Sequence, residues 1–294
     1  MIKYEWRTEL TPAEADELAE MLGRAADFDA EPEYTTIDFA DVQCTIGTAT
    51  ARHLLIWMLP YATAMGEPDR PERIAGLLRL MVSADGTADA AVVIDPQLRS
   101  IGIVTLLLER VGLNTDAEGG WLGTGAHTLT TWARGSHPAS GRLSNRFLIP
   151  RTRRLWKLIR STIDEHPSAP VLEPIGVGAL DDLAWAPTIS GVAQAYALRE
   201  DGRVAGVVAL DPTPVTSEEF GRCATVQWVA TAPSVADQTR RQLLSGAAAL
   251  AHEEGFTGVI CHVDSDDAVM VNACRLSDFQ HDRTDVYFQL GGQQ

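Results

Sequence analysis

The chain has 294 residues, 45% hydrophobic and 22% charged, enough for two globular domains that each bury a core. Its 24 basic against 40 acidic residues give a formal charge of -16, which leaves no basic face to release counterions from nucleic acid or an anionic membrane. No apolar run approaches a membrane span and the opening MIKYEWRTEL lacks the apolar core of a signal peptide, so a cytoplasmic protein is expected. Cys44, Cys223, Cys261 and Cys274 show no CxxC spacing, which argues for isolated reduced thiols and against structural zinc or any other metal site.

In chain order, LTPAEADELAEMLGRAADFD predicts a helix whose start is written in. Thr11 caps, Pro12 suits the first turn, and Glu14 completes a capping box. RHLLIWMLPYA and RIAGLLRLMVS predict strands separated by the loop TAMGEPDRPE, and DAAVVID predicts a short strand running into Pro96. The loop PQLRSIG leads into IVTLLLERVG, a helix that Gly112 ends. HTLTTWARG is a further strand, HPASGRLSNRF a short helix and RTRRLWKLI a strand. STIDEHPSAPVLEP has the composition of a linker.

Beyond it the order repeats. AQAYALRED and GRVAGVVALD form a hairpin across Asp201-Gly202, an aspartate-glycine turn. ATVQWVATAP is a strand ending in proline like its counterpart. A helix to Gly255, the strand GVICHVD, the helix DAVMVNACRL and the strand DRTDVYFQL complete the set. Both halves therefore read strand, strand, strand-Pro, loop, helix, strand, short helix, strand, a tandem repeat of one α/β unit. The second half lacks a clear leading helix.

The strand-Pro-loop-helix junction is where chemistry fits. A helix N-terminus offers unpaired N–H groups and the positive end of the dipole to a pyrophosphate, glycine allows close approach, and Arg adds charge. PQLRSIGIVT places Arg99 and Gly102 suitably, although this loop alone also reads as a plain strand–helix turn. The whole layout resembles the GNAT acetyltransferases, whose signature at this junction is Arg/Gln-x-x-Gly-x-Gly/Ala. Arg99, Gly102 and Val104 stand at its three defining positions, and the first two meet it. More narrowly, WRTELT, HLLIW, VVIDPQLRSIGI, WARGSHPASGRL, RRLWKL and VDSDDAVMVNACRLSDF followed by DVYFQL are similar to the mycothiol synthase family of actinobacterial tandem GNAT enzymes. Those enzymes acetylate the cysteinyl amine of a glucosaminyl-inositol precursor.

The resemblance implies an α/β (α+β) fold of two tandem GNAT domains, each a mixed, mostly antiparallel sheet flanked by helices. The expected division is an N-terminal domain at 1–160, a linker at 161–175 and a shortened, degenerate C-terminal domain at 176–294. It implies acetyl-CoA or another acyl-CoA as co-substrate, held by Val92, Val93 and Ile94 on the strand edge and by Arg99, Ser100, Ile101, Gly102, Ile103, Val104 and Thr105 at the phosphate loop. Val104 replaces a small residue.

The family's catalytic work is attributed to the second domain, and there the sequence departs. PSVADQTRRQLL has no glycine, and Asp237 places negative charge where pyrophosphate would lie. Counting back from Pro233 puts Thr225 at the family's Glu base, leaving Glu219 (and Glu218) nearby in sequence. The family's Tyr acid falls on Cys274, which reads either as a thiol proton donor or as a small buried residue filling the vacated space. His262 stands where relatives have an aromatic substrate contact and is a further candidate base. The expectation is an acyl-CoA-dependent N-acyltransferase homologue acting on a small polar amine between the domains. The alternative is an inactive or repurposed tandem-GNAT protein that binds a ligand or partner, or runs a different biosynthetic reaction.

Overall fold

The computed structural model describes residues 1–59, 72–163, 169–233, 235 and 238–292. The expected loop before the third strand falls almost wholly outside them, as do Ser234, Ala236 and Asp237. The chain divides into two compact units, Met1–Arg153 with Asp285–Gln294, and Arg154–Thr284.

Unit 1 opens with β1 (Ile2–Arg7) and α1 (Pro12–Asp29). The expected capping box is formed: Thr11 Oγ1 accepts from the Glu14 N–H, and Glu14 accepts from the Thr11 N–H. Two elements went unread in the sequence, β1 itself and α2 (Phe39–Thr45), which Asp38 caps. β2 (Ala51–Met58), β3 (Arg73–Val82) and β4 (Thr87–Ile94) continue an antiparallel meander from β1. After α3 (Ile103–Val111), β5 (Thr128–Ala133) lies parallel to β4, and α4 (Pro138–Phe147) follows.

Alternation along the strands sends side chains to two faces. Leu55, Trp57, Leu77 and Val93 meet Leu18, Met21, Leu22 and Val42 of α1 and α2. Leu54, Ile56, Leu78, Leu80 and Ala88 meet Ile103 and Leu107 of α3, with Trp121.

β6 (Arg151–Ser161) enters unit 2, where it pairs antiparallel with β11 (Gly258–Asp264). Between them come β7 (Glu173–Pro174), α5 (Val177–Asp181), β8 (Gln194–Glu200), β9 (Arg203–Ser217), β10 (Gly221–Thr231) and α6 (Gln238–Glu253). Asp201 and Gly202, at φ 49° and 77°, make the expected hairpin turn. α6 lays Leu243, Leu244, Ala247, Ala248 and Ala251 on Val208, Leu210, Ala224 and Val226. α7 (Ala268–Arg275) and β12 (Gln280–Gly291) end the chain.

The strand order is β1-β2-β3-β4-β5-β12 in unit 1 and β6-β11-β10-β9-β8-β7 in unit 2. The last strand of each half thus completes the other half's sheet: Val286–Gly291 pairs with β5, and Leu155–Ser161 with β11. This differs from the expected division at 160 and 176, because strand composition encodes a pleated element but not its partner. The expected linker also carries structure. β7 pairs Glu173 with Ala197, and buried Leu172 packs on Gly246, where a Cβ would stand 2.6 Å from the leucine.

Candidate active site

In unit 1, β4 and β5 pair only from Thr87↔Thr128 to Asp89↔Thr130 and then part. The gap opens a cavity of about 930 Å³, within the range of small-molecule sites. Its walls include Val92 on β4, Ile103 and Leu107 on α3, Leu143 on α4, and Phe288 and Leu290 on β12. Nine of the ten residues expected to hold acyl-CoA line it: Val92, Val93, Ile94, Arg99, Ser100, Gly102, Ile103, Val104 and Thr105. Ile101 does not, and its side chain is exposed.

The loop at the mouth is shaped by backbone. Ser100 and Gly102 both have positive φ, 65° and 86°, and Gly102 is the N-cap of α3. A Cβ at Gly102 would meet only open space, so its role is conformational. The Leu106 N–H makes the first helical bond, to Gly102 O, so Ile103, Val104 and Thr105 have no intrahelical acceptor for theirs. Those donors, the helix dipole and an apolar slot behind them fit a pyrophosphate joined to a long, thin arm.

Arg99, which lines the cavity, is also tied to α1. Its guanidinium grips buried Asp29 through two bonds of 2.5 and 2.7 Å, and its Nε donates to Ile94 O. Arg24 binds Asp95 at 2.8 Å, and Asp95 caps the Gln97 N–H. Two arginine–carboxylate pairs therefore tie α1 to the loop. Arg99 is thus paired with Asp29 and holds the loop's shape.

On the opposite face a second cavity of about 280 Å³ is lined by Thr35, Asp89, Ala90, Ala91, Trp132 and Arg134. Asp89 escaped the sequence reading, although an acid opening the apolar run DAAVVID was a usable signal. Asp89 is exposed, and the partial burial of its carboxyl raises it only against the opposing pull of Arg79 and Arg134. His137 lines the large cavity as the N-cap of α4, its Nδ1 accepting from the Ala139 N–H. Burial and then Arg99 hold its imidazole below its usual range.

In unit 2, β10 and β11 pair from Cys223↔Gly258 to Val226↔Cys261 and part beyond. Cys274 on α7 is wholly buried in the core, against Cys261. A hydrogen bond to Cys274, then burial, raises the Cys261 thiol. His262 follows at the parting point and is exposed. Glu219 lies in the β9–β10 turn, at the paired end rather than the open one. Thr225 sits within the paired stretch. The charge expected from Asp237 lies outside the described residues. Leu183, Trp185, Ala186 and Ile189 pack with Trp228 against β8 and β9, and Gln227 donates to Ser190 O. This segment covers a sheet face of unit 2.

No family model matches the chain. A GCN5-related N-acetyltransferase from Sphaerobacter thermophilus superposes over 97% of this chain and 95% of its own, with TM-score 0.56 and 14% identity. A tandem GNAT protein from the clavulanic acid biosynthesis pathway does so over 99% of both chains, with TM-score 0.56 and 13% identity. The chain has the tandem GNAT fold, with parallel strands that part in each unit. It resembles the mycothiol acetyltransferase of Sanguibacter keddieii, to which 122 residues are 34% identical. That stretch is 38% of this chain and spans 36% of the relative's length.

Proposed function

We propose that this protein is an acyl-CoA-dependent N-acyltransferase acting on a small polar amine, with acetyl-CoA as the first donor to test and unit 1 as its binding site. The observation that carries the reading is the 930 Å³ cavity between the parted β4 and β5, whose mouth is the turn from Ser100 to Thr105. In unit 1 the donors at α3 would take the pyrophosphate, and the edge of β4 from Val92 to Ile94 the amides of the arm. Calorimetric titration of acetyl-CoA tests this. Val104→Glu, which sets a negative charge in the phosphate loop, is expected to weaken binding at least tenfold, and Cys274→Ala in unit 2 to leave it unchanged. An absence of binding by the wild type, or binding indifferent to Val104→Glu, overturns the assignment.

A second reading, a tandem GNAT that binds acyl-CoA without transferring the group, draws on unit 2. There Cys274 is sealed in the core and Glu219 stands at the paired end. Acetyl-CoA binding with no acetylation of any amine would favour it.

A further inference from the structure

The large cavity of unit 1 runs on well beyond its mouth. Its wall extends from Ser100, before α3, to Leu113, past the last residue of that helix. The nine residues of α3 rise about 14 Å. Because α3 joins β4 to a parallel β5, it runs back from the open end of the two strands to their paired end. Leu129 of β5 stands behind the last rung before the parting, Asp89↔Thr130, and Leu290 of β12 lies directly opposite it. An arm that enters at the mouth and follows the gap reaches its end at that rung, so Leu113, Leu129 and Leu290 line space beyond the thioester.

Resting on the reading that unit 1 holds the acyl-CoA, we infer that the donor carries a straight acyl chain of medium length, well beyond acetyl, whose tail lies against Leu108, Leu113, Leu129 and Leu290. These four line the cavity and are only half-buried, whereas Ile103 and Leu107 of α3 are buried in the core. Leucines that face an inner groove without being covered mark a surface for an apolar ligand. β4 adds room with Ala90, which sits opposite Leu80 on the α3 side. The volume agrees. About 930 Å³ is near the top of the range for sites that enclose a whole small ligand, roughly 300–1,000 Å³, yet here the pyrophosphate and nucleotide stay at the mouth.

The far end disfavours a polar tail. Trp121 is buried there and its one donor is engaged by Gly112 O. Arg146 of α4 pairs with Glu109 of α3, and both are exposed, so their charges face solvent and each other. A hydroxyl or carboxylate on the tail would lose its hydration beside the leucines without gaining a partner. An acetyl group, ending near the rung, would leave the four leucines facing water. Each methylene that covers them gains about threefold in affinity.

Acetyl-, butyryl-, hexanoyl-, octanoyl- and dodecanoyl-CoA are titrated calorimetrically into wild type, Leu129→Phe and Leu290→Phe, with a thermal melt of each protein. In wild type, affinity is expected to rise about threefold per methylene from acetyl to octanoyl and then to level off. In either variant the added ring shortens the groove. The ratio of octanoyl to acetyl affinity then drops about tenfold or more in a protein that still melts cooperatively. Wild type that binds acetyl-CoA as tightly as the longer thioesters overturns the chain pocket and leaves the acyl-CoA reading standing; that series requires no variant. A chain-length preference undiminished in both folded variants also overturns it, because the tail then lies elsewhere. Wild type that binds none of these thioesters removes both.

Discussion

Arg99 and Asp29 show how much of this site is decided by single pairs. Asp29 is 2% exposed and its carboxylate has two guanidinium bonds. Arg99→Ala would strand that charge, a loss of roughly 3 kcal/mol. Urea unfolding should therefore show a marked drop in stability, while acetyl-CoA affinity falls less than with Val104→Glu. The opposite ranking would mean that Arg99 contacts the phosphate after all. His53 makes a pH prediction. It is 0% exposed, its Nδ1 has no partner among the described residues, and burial followed by Arg79 lowers its pKa from 6.5 to about 4. The unfolded chain takes a proton near pH 6.5 that the folded chain refuses. The His53 contribution is thus complete above that pH and declines as pH falls toward 4, by about 3 kcal/mol across the interval. Urea midpoints at pH 7.5 and 5 should differ more in wild type than in His53→Gln.

At the scale of elements, local chemistry was well marked in the sequence. Thr11, Pro12 and Glu14 fixed the start of α1, Gly112 the end of α3, and Asp201-Gly202 the turn between β8 and β9, because each acts within a few residues of itself. β1 went unread because only Ile2 of its six residues is buried, so its hydrophobic signal is weak. Much of the candidate site was legible for the same reason, with nine of ten expected residues lining one cavity. The two features that were not legible, Asp29 on Arg99 and Asp89 beside Trp132, join distant segments. Thr11→Ala, which removes the cap of α1, should cost about 1 kcal/mol. Because Arg24 and Asp29 of α1 hold the loop at Asp95 and Arg99, this loss should also loosen the phosphate turn. Faster amide exchange at Ser100–Val104 in that variant is the expected sign, and unchanged exchange there would mean that α1 and the loop are independent.

For the whole molecule, the traded strands matter most. Unit 1 draws Val286–Gly291 from the end of the chain, with Phe288 buried against it and Gly135 donating its N–H to Asp285. A fragment of residues 1–160 therefore lacks its sixth strand. It should melt without a cooperative transition and bind no acetyl-CoA, whereas truncation after 284 should abolish binding although every phosphate-loop residue remains. Calorimetry on the two fragments checks this, and a cooperative, ligand-binding 1–160 fragment would refute it.

The same trade bears on synthesis and inheritance. As the ribosome releases the chain, the first half must wait for Val286–Gly291 before its sheet can close, so its folding departs from the usual N-terminal-first schedule. A gene with this wiring cannot shed its second half without the first half losing a strand with it.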